Sequence, residues 1–106
     1  MKKEYDKLVR DKIPDIIHDQ GKKVCFRILD EDESIEYLEK KLDEEVAELH
    51  ESKSIEEIAD VFEVLFSLID ALGYDDHSVI ETMIEKHETR GGFDNRICLI
   101  EVEEND

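Results

Sequence analysis

Basic residues are scarce in this 106-residue sequence: 14 lysines and arginines face 31 aspartates and glutamates, for a formal charge of −17. A chain so acidic repels a phosphodiester backbone, which excludes DNA and RNA as general partners. There are only two cysteines, Cys25 and Cys98. They lie far apart with no C-x-x-C spacing, so neither a disulfide framework nor a zinc site is indicated, and both are expected to be reduced and semi-buried. Long apolar runs are missing as well. None approaches the roughly 18 to 20 residues that cross a bilayer, and Met1-Lys-Lys-Glu-Tyr leads into no signal-peptide stretch, so no membrane partner and a cytoplasmic location are expected. The sequence has no P-loop, no serine or cysteine nucleophile arrangement, no internal repeat and no low-complexity tract or linker. His18, His50, His77 and His87 share no metal-ligand spacing and read as surface or capping residues. Aromatics are few; Tyr5, Tyr37, Tyr74 and Phe93 fall outside the main apolar run, with packing as the default role and base stacking as the functional one.

What is present is helical periodicity. The length suits one domain, 1–106, with a single modest core, and an amphipathic helical chain of this size often completes its core against a copy of itself. Ile13-Pro14-Asp15-Ile16-Ile17 predicts a short helix, with proline in the first turn and Gly21 as its stop. Ile35, Leu38, Leu42, Val46 and Leu49 follow spacings of three and four, predicting a helix over about 34–52 with a cap among Asp32 to Ser34. Ser54, with Glu57 three residues on, predicts the start of another that runs to Leu72 before Gly73. Its apolar residues cover most of its circumference, which marks it as the central, most buried helix. A last helix is expected from about Asp76 to Thr89, broken by Gly91-Gly92. Val24, Phe26 and Ile28 alternate with polar neighbours, and Arg96-Ile-Cys-Leu-Ile-Glu-Val is strand-like. The expected fold is therefore mainly α, an antiparallel helical bundle, with a short two-stranded ribbon from residues 23–29 and 96–101 as an addition.

Two E-x-x-[ED] units stand out against this frame: Glu45-Val46-Ala47-Glu48 and Glu57-Ile58-Ala59-Asp60. Each sets two carboxylates three residues apart on one helical face, and the short connection between the helices lets the two pairs face each other. Glu45 lies three residues after Leu42 and seven after Leu38, where a core residue is due, and Asp60 interrupts a run of apolar neighbours. Burying an unpaired carboxylate costs several kcal/mol, roughly, so a bound cation is the simplest remedy. Hard oxygen donors without His or Cys favour Mg²⁺, or Mn²⁺, over zinc. Glu44 and Glu63 are candidates for supporting positions or a second metal. The competing reading is plain: with 42% charged residues, E-x-x-E also arises on solvated helix faces.

Basic residues cluster at the two ends of the chain. Lys7, Arg10 and Lys12 precede the first helix, and Lys86, Arg90 and Arg96 flank the glycine pair, so both groups are candidates to neutralise phosphate. A surface salt bridge is the ordinary alternative for each.

Lys41-Leu42-Asp43-Glu44-Glu45-Val46-Ala47-Glu48 followed by Glu57-Ile58-Ala59-Asp60 resembles the EExxE and ExxD pair of the all-alpha nucleotide pyrophosphohydrolase superfamily, which includes the MazG-like proteins. Lys7-Leu8-Val9-Arg10-Asp11-Lys12-Ile13-Pro14 and Arg90-Gly91-Gly92-Phe93 are similar to a phosphoribosyl-ATP pyrophosphohydrolase-like subgroup, so the resemblance extends over nearly the whole chain. It implies that Glu45, Glu48, Glu57 and Asp60 ligate Mg²⁺ and that a nucleotide is cleaved between its α and β phosphates, giving a monophosphate and pyrophosphate. It also implies a homodimer or homotetramer of helical bundles. Phosphoribosyl-ATP hydrolysis in histidine biosynthesis is the variant reading, since it breaks the same linkage. A non-catalytic helical interaction module, or a nucleotide or metal sensor, is the reading from another class.

Overall fold

In the computed structural model, which describes residues 1–104, the described residues form four helices and no strand. The helices are α1 (Ile13–Asp19), α2 (Glu31–Ser52), α3 (Ile55–Ala71) and α4 (Asp76–Arg90). The chain divides into two compact units, Met1–Asp76 and His77–Asp106. The mainly α expectation holds. No helix among the described residues is long and apolar enough to cross a membrane.

In the first unit Pro14 sits in the opening turn of α1 and Gly21, at φ 82°, follows its end. The start of α2 lies three residues before the expected one. Asp30 is the N-cap: its side chain accepts from the Glu33 backbone N–H while the Glu33 carboxylate accepts from the Asp30 N–H, a reciprocal capping box. Lys53 ends α2 in the left-handed region at φ 52°, and Ser54 caps α3 by accepting from the Glu57 N–H at 3.3 Å. Only Lys53 and Ser54 separate α2 from α3, which pack along each other, so the chain doubles back into an antiparallel hairpin.

The core of this hairpin is Leu38 from α2 with Val64 and Leu68 from α3, flanked by Leu42 and by Leu8 from the N-terminal segment. Two expectations change here. The first concerns α3, which buries one face only: Ile55, Ile58, Phe62, Leu65 and Phe66 remain exposed. At 100° per residue these five form a stripe well rotated from the Val64 and Leu68 face, so the near-continuous hydrophobicity is two apolar faces, of which α2 covers one. The second concerns the ribbon, which is absent: residues 23–29 and 96–101 carry no strand pairing. Phe26, Ile28, Ile97, Leu99 and Ile100 are all exposed, so these segments bury too little apolar surface to hold a ladder, and two strands alone are marginal in water. Cys25 and Cys98 on the same segments are free and exposed rather than semi-buried.

The second unit holds α4, one residue longer than expected, with Gly91 at φ 80° just past its end. Gly92 passes close to His87, where an added Cβ would lie 3.1 Å from the imidazole. The backbone then turns through Phe93, whose carbonyl accepts from the Arg96 N–H at 3.1 Å.

Candidate metal centre

Among the described residues, Glu45 is the one buried charged side chain, exposed to only 7%. It sits where the heptad from Leu38 puts it, on the α2 face that meets α3. Opposite stand Glu57, in the first turn of α3, and Asp60, one turn further. Glu45, Glu57 and Asp60 each present a carboxylate oxygen, and these three oxygens lie within 4.8 Å of one another. Ser54 caps α3 without a reciprocal bond from Glu57, whose carboxylate instead joins this group. One oxygen of Glu45 and one of Glu57 are buried without a hydrogen-bond partner.

The electrostatics follow from that crowding. Desolvation is the largest cause pushing the Glu57 carboxyl up to about 7, and the neighbouring Glu48 and Glu45 charges add to it. The Glu45 carboxyl is raised for the same reasons, burial first and the Glu48 charge second, with Lys41 pulling the other way. Glu48 itself is exposed and stands outside the three converging oxygens, although its charge is felt by two of them. Two orphaned acceptors in such a setting take either a proton or a cation.

The N-terminal segment supplies the countercharge. Arg10 donates to Asp60 Oδ1 at 2.8 Å and lies 3.4 Å from Glu63 Oε1, while Lys7 donates to Glu44 Oε1 at 3.2 Å. With Leu8 packed on the core between them, this segment reaches α2 through Lys7 and α3 through Arg10. Lys41 completes the set, its Nζ 3.4 Å from both Glu44 Oε2 and Glu45 Oε1. Burial raises the Glu44 carboxyl, but Lys7 and Lys41 outweigh it and hold the group below its usual range. Glu44 and Glu63 are thus each paired to a basic side chain.

Comparison with protein-family models, curated proteins and solved structures found no match to this chain. The reading of the site therefore rests on its residues.

Of the sequence candidates, Glu45, Glu57, Asp60, Arg10 and Lys7 come together in the first unit. Lys12 is exposed at the N-cap of α1. Lys86 and Arg90 lie one turn apart on α4, and Arg96 follows the Gly91-Gly92 turn, its backbone at φ 56°. The sequence reading passed over Lys41. Its spacing of three and four from Glu44 and Glu45 on one helix face was the available signal.

Proposed function

We propose that this protein is a Mg²⁺-dependent nucleotide pyrophosphohydrolase, cleaving between the α and β phosphates to release a monophosphate and pyrophosphate. The observation that carries the reading is the convergence of Glu45, Glu57 and Asp60 on one point, with buried oxygens of Glu45 and Glu57 lacking any partner. An all-oxygen, anionic donor set of this kind fits a hard divalent cation. The resemblance of Glu44-Glu45-Val46-Ala47-Glu48 and Glu57-Ile58-Ala59-Asp60 to the EExxE and ExxD pair supplies the reaction.

On this reading Glu45, Glu57 and Asp60 hold the metal and Glu48 joins them from the rim. Bound there, Mg²⁺ supplies charge neutralisation at the phosphate oxygens and lowers the pKa of a water. The chain's own part is positional. Arg10 and Lys7 bring cationic donors to the edge of an otherwise anionic site, where a polyphosphate would be repelled without them. One of these glutamates accepts the proton of the attacking water. Glu57, whose carboxyl is pushed up to about 7, is suited to exchange a proton near neutrality when metal is absent.

The helical bundle of that superfamily and a homo-oligomeric state, dimer or tetramer, belong to the same proposal. The bare apolar stripe of α3 supports them. The deciding experiment measures pyrophosphate release from a panel of nucleoside triphosphates and phosphoribosyl-ATP, with and without Mg²⁺. Release that requires Mg²⁺ is expected from at least one member; silence across the panel would sink the enzyme reading.

A further inference from the structure

Beside the carboxylates lies a small cleft of about 40 Å³ whose walls include Asp6, Lys7, Tyr37, Lys40, Lys41 and Glu44. Its charge is unusual for this chain. Between residues 28 and 85, where most of the acids lie, the only bases are Lys40, Lys41 and Lys53. Two of those three, together with Lys7 from the N-terminal segment, face one cleft.

The cleft is held in shape. Tyr37 donates its hydroxyl to Asp6 Oδ1 at 2.8 Å, and Lys40 Nζ lies over the Tyr37 ring, 5.1 Å from its centre. Asp6 has φ 95°, a conformation that disfavours an L side chain, and the Tyr37 bond holds it there. That turn directs Lys7 to Glu44 and Leu8 to the core. Within the cleft Glu44 bridges Lys7 and Lys41 with its two oxygens, at 3.2 and 3.4 Å. A carboxylate held between two ammonium groups occupies the position that another oxyanion would take. Lys41 also touches Glu45, so a single ammonium links this cleft to the three converging carboxylates.

We propose that the cleft of Lys7, Lys40, Lys41 and Tyr37 is a phosphoryl-anion subsite, and, resting on the hydrolase reading, that it receives the pyrophosphate end of the nucleotide. Glu44 serves as an internal stand-in that keeps the lysines gathered until a more highly charged anion displaces it. Lys40, with its head on an aromatic face and its remaining contact an exposed pair to Glu36 at 3.6 Å, is the lysine free to turn toward the ligand.

The test uses inorganic pyrophosphate without divalent cation, at low salt, titrated into isotope-labelled protein while backbone amide signals are followed. Saturable shifts are expected at Asp6 to Leu8 and Tyr37 to Glu44. Lys40→Gln should weaken binding by about tenfold, the weight of one charge-assisted contact, whereas Lys22→Gln, the same charge change outside the cleft, should not. Glu44→Gln should tighten it by removing the competing carboxylate. Shifts confined to other segments, or equal loss in the two lysine variants, overturn the subsite. Turnover separates the two proposals. Pyrophosphate binding here with no nucleotide hydrolysed leaves the subsite standing and removes the hydrolase; hydrolysis with a KM untouched by Lys40→Gln does the reverse.

Discussion

At the scale of single residues, the acidic centre is an unsatisfied arrangement, and its consequences are measurable without any substrate. An unfolded glutamate titrates near 4.5, while Glu57 in the fold is pushed up to about 7 by desolvation and by Glu48 and Glu45. Between those values the folded chain holds a proton that the unfolded chain has lost. Stability supplied by this group is therefore full below about 4.5 and falls as pH rises through 7. Glu45, also raised, acts in the same direction; Glu33 and Glu44, both lowered, act below 4.5 instead. The melting temperature without divalent cation should fall between pH 5 and about 8, and Glu57→Gln should flatten that slope. Mg²⁺ should restore more stability at pH 8 than at pH 5, because metal and proton compete for the same oxygens. A wild-type profile that rises across this range would contradict the account of Glu57.

Arg10 gives a second prediction at this scale. Its guanidinium already neutralises Asp60 at 2.8 Å, so it competes with any cation for that carboxylate. Arg10→Gln should bind Mg²⁺ more tightly, by about fivefold if the exposed pair is worth roughly 1 kcal/mol, and yet bind nucleotide more weakly. Titration calorimetry with each ligand separates the two effects; weaker Mg²⁺ binding would show that Arg10 orders the site rather than competing for it. Glu45→Gln and Asp60→Asn should abolish pyrophosphate release with helicity retained. The burial of Glu45 was legible in sequence because a charge standing in an apolar stripe is a local signal; Asp60, expected to be enclosed in the same way, has a side chain 36% exposed and paired to Arg10. The reach of Lys7 to Glu44 and of Arg10 to Asp60, 37 and 50 residues apart, was not legible, since it depends on how the N-terminal segment lies over α2 and α3.

At the scale of elements, local rules placed the helices and long-range packing decided the rest. The spacing of Leu38 and Leu42 and the cap at Ser54 were enough for α2 and α3. The start of α2 was displaced because Asp30-Glu31-Asp32-Glu33 offers several acids that can cap, and apolar periodicity, which begins only at Ile35, does not choose among them. The capping box chooses Asp30. Asp30→Ala should therefore cost about 1 kcal/mol, a fall in melting temperature of roughly 4 to 8 °C for a domain of this size. Asp32→Ala, one residue short of the Glu33 partner, should cost much less, and thermal circular dichroism of the two variants distinguishes them. The strand-like segments failed for the complementary reason. Alternation predicts which face a strand would bury, but a strand forms only where another element covers that face, and Phe26 and Ile100 remain bare.

At the scale of the whole molecule, the balance of buried and exposed apolar groups is what the chain leaves open. Leu38, Val64 and Leu68 are the buried apolar core among the described residues, while Phe62 is 57% exposed and Phe66 44%. A row of five large apolar side chains from Ile55 to Phe66, on the face of α3 turned away from Val64, costs solvation free energy at about 25 cal/mol per Å². Association of copies through this stripe offsets that cost, and the row spans the same turns of α3 as Glu57 and Asp60 but on a face rotated away from them, so the partner would meet the helix on the side opposite the candidate metal ligands. Wild-type protein should sediment as a dimer or tetramer at micromolar concentration. Phe66→Glu, which puts a charge at the C-terminal end of the stripe without touching Val64 or Leu68, should shift it toward monomer with α2 and α3 still helical. If activity falls in step with dissociation, the site depends on the assembled form; a monomeric Phe66→Glu variant with full Mg²⁺-dependent turnover would place catalysis within one chain. A wild-type protein that sediments as a monomer at every concentration would remove the oligomer from the proposal while leaving the carboxylates where they are.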